Sequence, residues 1–304
     1  MLIQGATGED GRHTWTLRKP RLSLRMSFRC QFASLLLLLL GEATTGAGEA
    51  TVLANANLLL PEDHGRILNP GAQDFPIDCY ELFHQSEGAA SDGLYIIRPA
   101  TVAIVVFCAM SDGGWTVLQH LTANSTEDFD RGWQDYKAGF GRVLGDHWIG
   151  NEHMHQLTQA PRHYTLGVKL VDMDGEVKWG EYEPFQVESE DSGYRIRLGL
   201  FSGTAVDALT QDTEAYLHDN QRFTTKDRDN DNYFQNCAKL EYNGVPGGGW
   251  WYDACAGANL NRRNVIYWQK DCNKEHPCKY SWMMARPAQQ PPCSQSCRCS
   301  KDEL

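Results

Sequence analysis

Between residues 93 and 200 the chain sets short apolar, β-branched and aromatic runs between Ser, Asp and Gly punctuation. This pattern predicts strands over Gly93–Arg98, Thr101–Met110, Trp115–Leu121, Tyr164–Val171, Gly175–Tyr182, Phe185–Val187 and Tyr194–Leu200, with a last one at Tyr280–Arg286. Two segments change period. Phe129, Trp133 and Tyr136 recur at helical spacing, as do Ile149, Met154 and Leu157 within Trp148–Thr158, so each predicts a short amphipathic helix. After Leu209 periodicity gives way to Asn, Asp, Gly and aromatics, and that third is predicted to be loop-rich. Upstream, basic residues after Met26, an apolar run from Phe32 to Leu40 and then small residues have the layout of a secretory signal peptide, with a run too short to span a bilayer. Residues 1–46 are therefore read as an upstream extension plus signal, with Met26 the natural start. Residues 47–75, carrying Pro61, Gly65, Pro70 and Gly71 and no heptad pattern, read as a linker.

Composition narrows the function classes. With 41% hydrophobic and 11% aromatic residues in a chain of 304, a packed core is expected. The net charge is −11, and the first thirty residues are basic, so the remaining body is acidic and unsuited to phosphate backbones. No Gly-x-Ser-x-Gly elbow, phosphate loop or His-Glu-x-x-His occurs, and a non-enzymatic protein is expected. Ten cysteines, nine once Cys30 of the signal is discounted, predict disulfides in an oxidising lumen with at least one free or bonded to another chain. Cys293, Cys297 and Cys299, in a Pro/Gln-rich tail spanning 288–304, are candidates for a disulfide-linked homo-oligomer. Asn124-Ser125-Thr126 is the one Asn-x-Ser/Thr site, predicting a glycan on Asn124. The final Lys301-Asp302-Glu303-Leu304 reads as an address for return to the endoplasmic reticulum. The expected location is the secretory pathway, with either secretion or retention in that lumen.

Candidate chemistry concentrates between Asp227 and Asn261. Asp229 and Asp231 sit two apart in a polar, Asn-rich segment; hard oxygens on a tight loop suit Ca²⁺, and the alternative is a solvated Asx-rich turn. An EF-hand register is excluded, because counting from Asp227 puts Asn232 at position six and Ala238 at position twelve. His153 and His155, two apart on a predicted helix, point to different faces without a partner at zinc spacing, and are read as packing and surface residues. Trp250 and Trp251 are read as packing residues, and Tyr252 as ligand-facing through its hydroxyl. Cys272 and Cys278 are close enough to pair locally.

Ordered motifs resemble one family. Asp78-Cys79-Tyr80-Glu81-Leu82, Gly113-Gly114-Trp115-Thr116-Val117, Arg131-Gly132-Trp133-Gln134-Asp135-Tyr136-Lys137, Asp229-Asn230-Asp231, Asn236-Cys237-Ala238, Trp250-Trp251-Tyr252 and Met283-Met284-Ala285-Arg286-Pro287 resemble a fibrinogen C-terminal (fibrinogen-like) domain over residues 76–287. The resemblance implies an α+β fold: a small N-terminal disulfide subdomain, a central antiparallel sheet with short helices, and a loop-rich, calcium-binding distal subdomain. It implies Cys79–Cys108 and Cys237–Cys255 pairs. It also implies Ca²⁺ on the side chains of Asp229 and Asp231 and the main-chain carbonyls of Tyr233 and Gln235. It places a ligand pocket at Tyr252, Ala254, Cys255 and Ala256, with a cis peptide between Ala254 and Cys255. Members are mostly non-enzymatic clotting proteins, receptor ligands of angiopoietin type, and lectins for acetylated groups. Here Ala256 stands where lectin-type members have histidine, and Cys272 and Cys278 appear where the family has none. The expected partner is a protein receptor or matrix component, or an acetylated glycan. The competing class is a folding or redox factor of the endoplasmic reticulum using the tail cysteines.

Overall fold

A computed structural model describes residues 58–59, 67–69, 74–211 and 217–288. In chain order the elements are β1 (Leu58–Leu59), α1 (Cys79–Gln85), β2 (Gly93–Ile97), β3 (Ile104–Ala109), β4 (Trp115–Thr122), α2 (Trp133–Ala138), β5 (Phe140–Arg142), β6 (His147–Trp148), α3 (Asn151–Thr158), β7 (Tyr164–Asp172), β8 (Val177–Val187), β9 (Ile196–Gly203), β10 (Ala258–Arg262), β11 (Val265–Trp268) and β12 (Cys278–Pro287). The signal segment and Cys293, Cys297, Cys299 and Lys301–Leu304 lie outside the described residues.

The sheet is organised around its last strand. β12 lies between β4 and β7, antiparallel to both, and the main path runs β1-β5-β6-β4-β12-β7-β8-β9, with β2 and β3 branching from β4. A register shift between Met283 and Met284, opposite Gln119 and Val117, re-phases the two ends of β4. One sheet face carries Leu118, Met283, Ala285, Leu166, Val168 and Tyr182, all buried in the main core with Met154 and Leu157 of α3 and Trp133 and Tyr136 of α2. Phe107, Trp115, Trp179, Trp282 and Met284 form a separate cluster on the opposite face.

Helix α1 starts where its sequence says it should. The Asp78 carboxylate accepts the Glu81 N–H at 2.7 Å, satisfying an orphan donor of the first turn. That carboxylate is fully buried, and Tyr164 Oη at 2.6 Å and Arg162 Nη1 at 3.2 Å compensate its charge.

Four expectations are corrected in detail. The two strands expected on either side of residue 184 are a single β8 that runs through Pro184; opposite it, a Cβ on Gly199 would lie 2.3 Å from Pro184 Cδ, so glycine makes room for the ring. Helix α2 begins at Trp133 instead of Phe129, because its first N–H is received by Asp227, ninety-four positions along the chain, at 2.8 Å. The stretch read as linker contributes β1, parallel to β5, and Ile67 bridges to Leu94. The loop-rich third holds a two-stranded β10–β11 ribbon. Three disulfides are formed: Cys79–Cys108, Cys237–Cys255 and Cys272–Cys278.

Candidate functional site

The distal region, from residue 217 to β11, is held by side chains reaching backbone groups. Trp250, Trp251, Phe223 and Trp268 are buried. Trp251 packs edge-on to Phe223 and donates its Nε1–H to the Tyr194 carbonyl at 2.7 Å. His218 is the residue that sequence reasoning missed: its Nε2 accepts the Ala258 N–H at 3.0 Å, so Nδ1 carries the proton toward the Trp251 carbonyl at 2.7 Å. Burial lowers its pKa, which keeps the ring neutral in this bridging role. A Cβ on Gly249 would approach Tyr136 at 2.6 Å and Phe223 at 2.7 Å, so glycine lets the loop lie flat on these rings.

Above this plug runs the Asp/Asn loop, whose alternation has a physical meaning. Asn230 donates to Phe223 O, Asn232 to the Asp253 carboxylate and Asn236 to Thr225 O. These asparagines tie the loop to the body and leave the carboxylates of Asp229 and Asp231 together. Asp231 accepts the N–H groups of Tyr233 and Cys237, each at 3.0 Å. Burial pushes the Asp231 carboxyl up to about 6, and the adjacent Asp229 carboxylate adds to the rise, against the lowering effect of those two N–H groups. Among the described residues the carbonyls of Tyr233 and Gln235 accept no hydrogen bond. Two crowded carboxylates beside two free carbonyls suit a hard dication completed by water. No group of three or more His, Cys, Asp or Glu side chains gathers among the described residues, so the donor set is not of zinc type. Asp227 is engaged elsewhere. It accepts from Trp133 N and Thr225 Oγ1, while the Arg228 guanidinium lies 3.8 Å above the Trp133 ring. The loop is thereby fastened to α2.

The expected ligand pocket is corrected in two respects. Tyr252 is 2% exposed; its hydroxyl donates to Gly248 O at 2.9 Å and accepts from Asn259 Nδ2 at 2.8 Å. Both capacities of that hydroxyl are used internally, so it offers no polar handle to a ligand. Among the described residues the cis peptide bonds are Ala160–Pro161 and Glu183–Pro184, and the bond between Ala254 and Cys255 is trans. Ala254, Cys255 and Ala256 are partly exposed, with Ala256 N donating to Ala254 O at 2.8 Å. The surface beside them is aromatic: Phe234 is 80%, Tyr242 43% and Tyr233 39% exposed, with the Tyr233 and Phe234 rings 4.4 Å apart. The readable signal was an aromatic pair inside an Asp/Asn run, with no periodicity to bury it. His153 is half-buried, and the loss of solvent around its ring pushes its pKa down to about 4, while His155 bonds the Val187 carbonyl, so both serve packing.

Comparison with known proteins places the chain. Residues 75–288 match the model for the C-terminal globular domain of fibrinogen beta and gamma chains. The chain belongs to this family. It is 39% identical over 211 residues to a fibrinogen-like protein 1-like protein of Gallus gallus, covering 68% of this chain and 71% of that one. The fibrinogen-like globe domain of human ANGPTL6 superposes with a TM-score of 0.63 at 33% identity, covering 75% of this chain and all of that one. A lamprey fibrin D-dimer complexed with the peptide Gly-His-Arg-Pro-amide gives a TM-score of 0.63 at 25% identity, covering 80% and 84%. The chain spans about two thirds of the length of the curated relatives it matches. Among the described residues, no helix is long and apolar enough to cross a membrane.

Proposed function

We propose that this fibrinogen-like chain is a non-enzymatic recognition protein of the secretory pathway, and that it binds a protein receptor or matrix protein through its distal loops. Ca²⁺ on Asp229, Asp231 and the carbonyls of Tyr233 and Gln235 braces the loop that carries the contact residues. When bound, the ion neutralises the paired carboxylates and stiffens the backbone from Asp229 to Cys237. The observation that carries the reading is the exposed Tyr233–Phe234 pair, set between those carboxylates and the Cys237–Cys255 bridge. Large apolar rings left in solvent on a braced loop are what protein interfaces use as anchors. Burial of the Tyr252 hydroxyl and the trans bond before Cys255 favour a protein over an acetylated glycan.

The test is a binding screen of the secreted chain against extracellular protein and glycan arrays, with Ca²⁺ or with EDTA. The reading expects a protein hit that weakens in EDTA and weakens again in Phe234→Ala. A glycan hit indifferent to Phe234→Ala would replace it.

A further inference from the structure

Among the described residues, the cluster on the sheet face that carries Trp115, Trp179 and Trp282 contains no helix residue, and at one end of that face three rings form a row. Tyr280 lies opposite Thr122 and Trp282 opposite His120 in the β4–β12 ladder. The His120 and Trp282 ring centroids are 4.6 Å apart, and those of Tyr280 and Trp282 5.5 Å. All three rings are only partly buried. Two residues beyond Thr122 comes Asn124, exposed in the turn that ends β4. Asn124 opens the one Asn-x-Ser/Thr site of the chain, and its third residue, Thr126, is exposed as well.

The turn is held firmly beside the rings. Asp146 accepts the Thr122 N–H at 2.8 Å and the Thr122 hydroxyl at 2.9 Å, and lies 3.2 Å from His120 Nδ1. Burial raises the Asp146 pKa, but hydrogen bonds from His120, Ser125 and Thr122 outweigh it and hold the carboxyl below its ordinary range. One carboxylate thus links the strand, the ring row and the glycosylation turn. Ala123 N also donates to Lys279 O at 2.9 Å, beside Tyr280.

We propose that Asn124 carries an N-linked glycan whose first sugars lie over Tyr280, His120 and Trp282, covering the open end of this face. The inference rests on the secretory-pathway reading, since the sugar donor is a lipid-diphosphate oligosaccharide of that lumen. In the transfer the Asn124 carboxamide nitrogen forms a bond to C1 of the sugar as the C1–O bond to phosphate breaks. The nitrogen gives up one proton to solvent, and the lipid diphosphate leaves with the bonding pair. The geometry supplies the rest. The near end of the row is two residues from Asn124 and the far end four, ~13 Å of strand at most, so the row lies within the reach of the first few sugars from the turn. Sugar C–H faces pack on ring faces, while the edges of Tyr280 and His120 supply polar partners. A half-buried aromatic row that a bound glycan covers is no longer open to other chains.

The experiment uses chain secreted from a eukaryotic cell line. Its mass is compared before and after peptide N-glycosidase and against Thr126→Ala, which removes the acceptor signal and leaves Asn124 in place. Acrylamide quenching of tryptophan fluorescence then reads exposure, with Trp282→Phe identifying the signal of that ring. The proposal expects a glycan mass that Thr126→Ala abolishes. It also expects quenching to increase on enzymatic removal of the glycan from folded protein, with the increase missing in Trp282→Phe. Absence of a glycan mass overturns the proposal. A glycan whose removal leaves Trp282 quenching unchanged overturns the covering role while leaving glycosylation and the distal recognition reading standing.

Discussion

The sheet half and the distal half of this domain are held together by different means. In the first, β4, β12, β7 and β8 pair continuously and bury one apolar face against α2 and α3. In the second, the β10–β11 ribbon is the only paired element of more than a bridge among the described residues. Aromatic rings, a neutral histidine, asparagine side chains and a disulfide do what a ladder does elsewhere. A ladder spreads stability over many interchangeable bonds. The distal half concentrates it in a few irreplaceable ones, and that leaves its outer loop free to vary in shape while staying rigid.

The largest expected effect tests whether the two halves unfold together. Trp251→Ala removes a ring packed on Trp148 and Phe223 and is expected to cost about 3–5 kcal/mol, read by chemical denaturation. Loss of the distal half alone, with the sheet transition unchanged, would show the halves to be separable. Next, replacing Cys237 and Cys255 together by Ser frees a loop of 18 residues and is expected to cost about 3 kcal/mol. Hydrogen exchange should then quicken over the Asp/Asn loop and remain slow in β7 and β12. Asn261→Leu leaves the Gly249 carbonyl without its donor, at 2.9 Å in the native protein, for about 1–3 kcal/mol. Phe234→Ala should change stability by less than about 0.5 kcal/mol, because its ring is exposed, while weakening partner binding.

The same contrast governs what could be read from sequence. The strands of the sheet half stood out through apolar and β-branched runs, and their ends fell within a few residues. Pro184 interrupted that signal, because the matching vacancy at Gly199 lies on another strand. The start of α2 was equally hidden, since its cap, Asp227, comes from the distal loop. In β10 the buried residues Asn259 and Asn261 mimic a surface pattern. Their carboxamides bond Gly247 O and Gly249 O, so polar residues occupy core positions. The Asp229/Asp231 pair was legible from residue type and spacing. The inward-facing hydroxyl of Tyr252 was not, because hydrogen-bond partners brought together by loops leave no periodic trace.

The central claim is that a cation completes the distal half, and thermal unfolding with and without Ca²⁺ tests it most directly. In the metal-free folded state Asp231 titrates near 6, above the ~3.9 of an unfolded aspartate. The folded state therefore binds this proton more tightly, and this group's contribution to stability is lost as pH rises through about 6. Calcium should reverse that loss, bind best above pH 6 and fade as pH falls through it. At pH 7.5 and Ca²⁺ a hundredfold above its Kd, the stabilisation should reach about 2.7 kcal/mol and disappear in Asp231→Asn. Superimposable melting curves with Ca²⁺ and with EDTA at that pH would contradict the account.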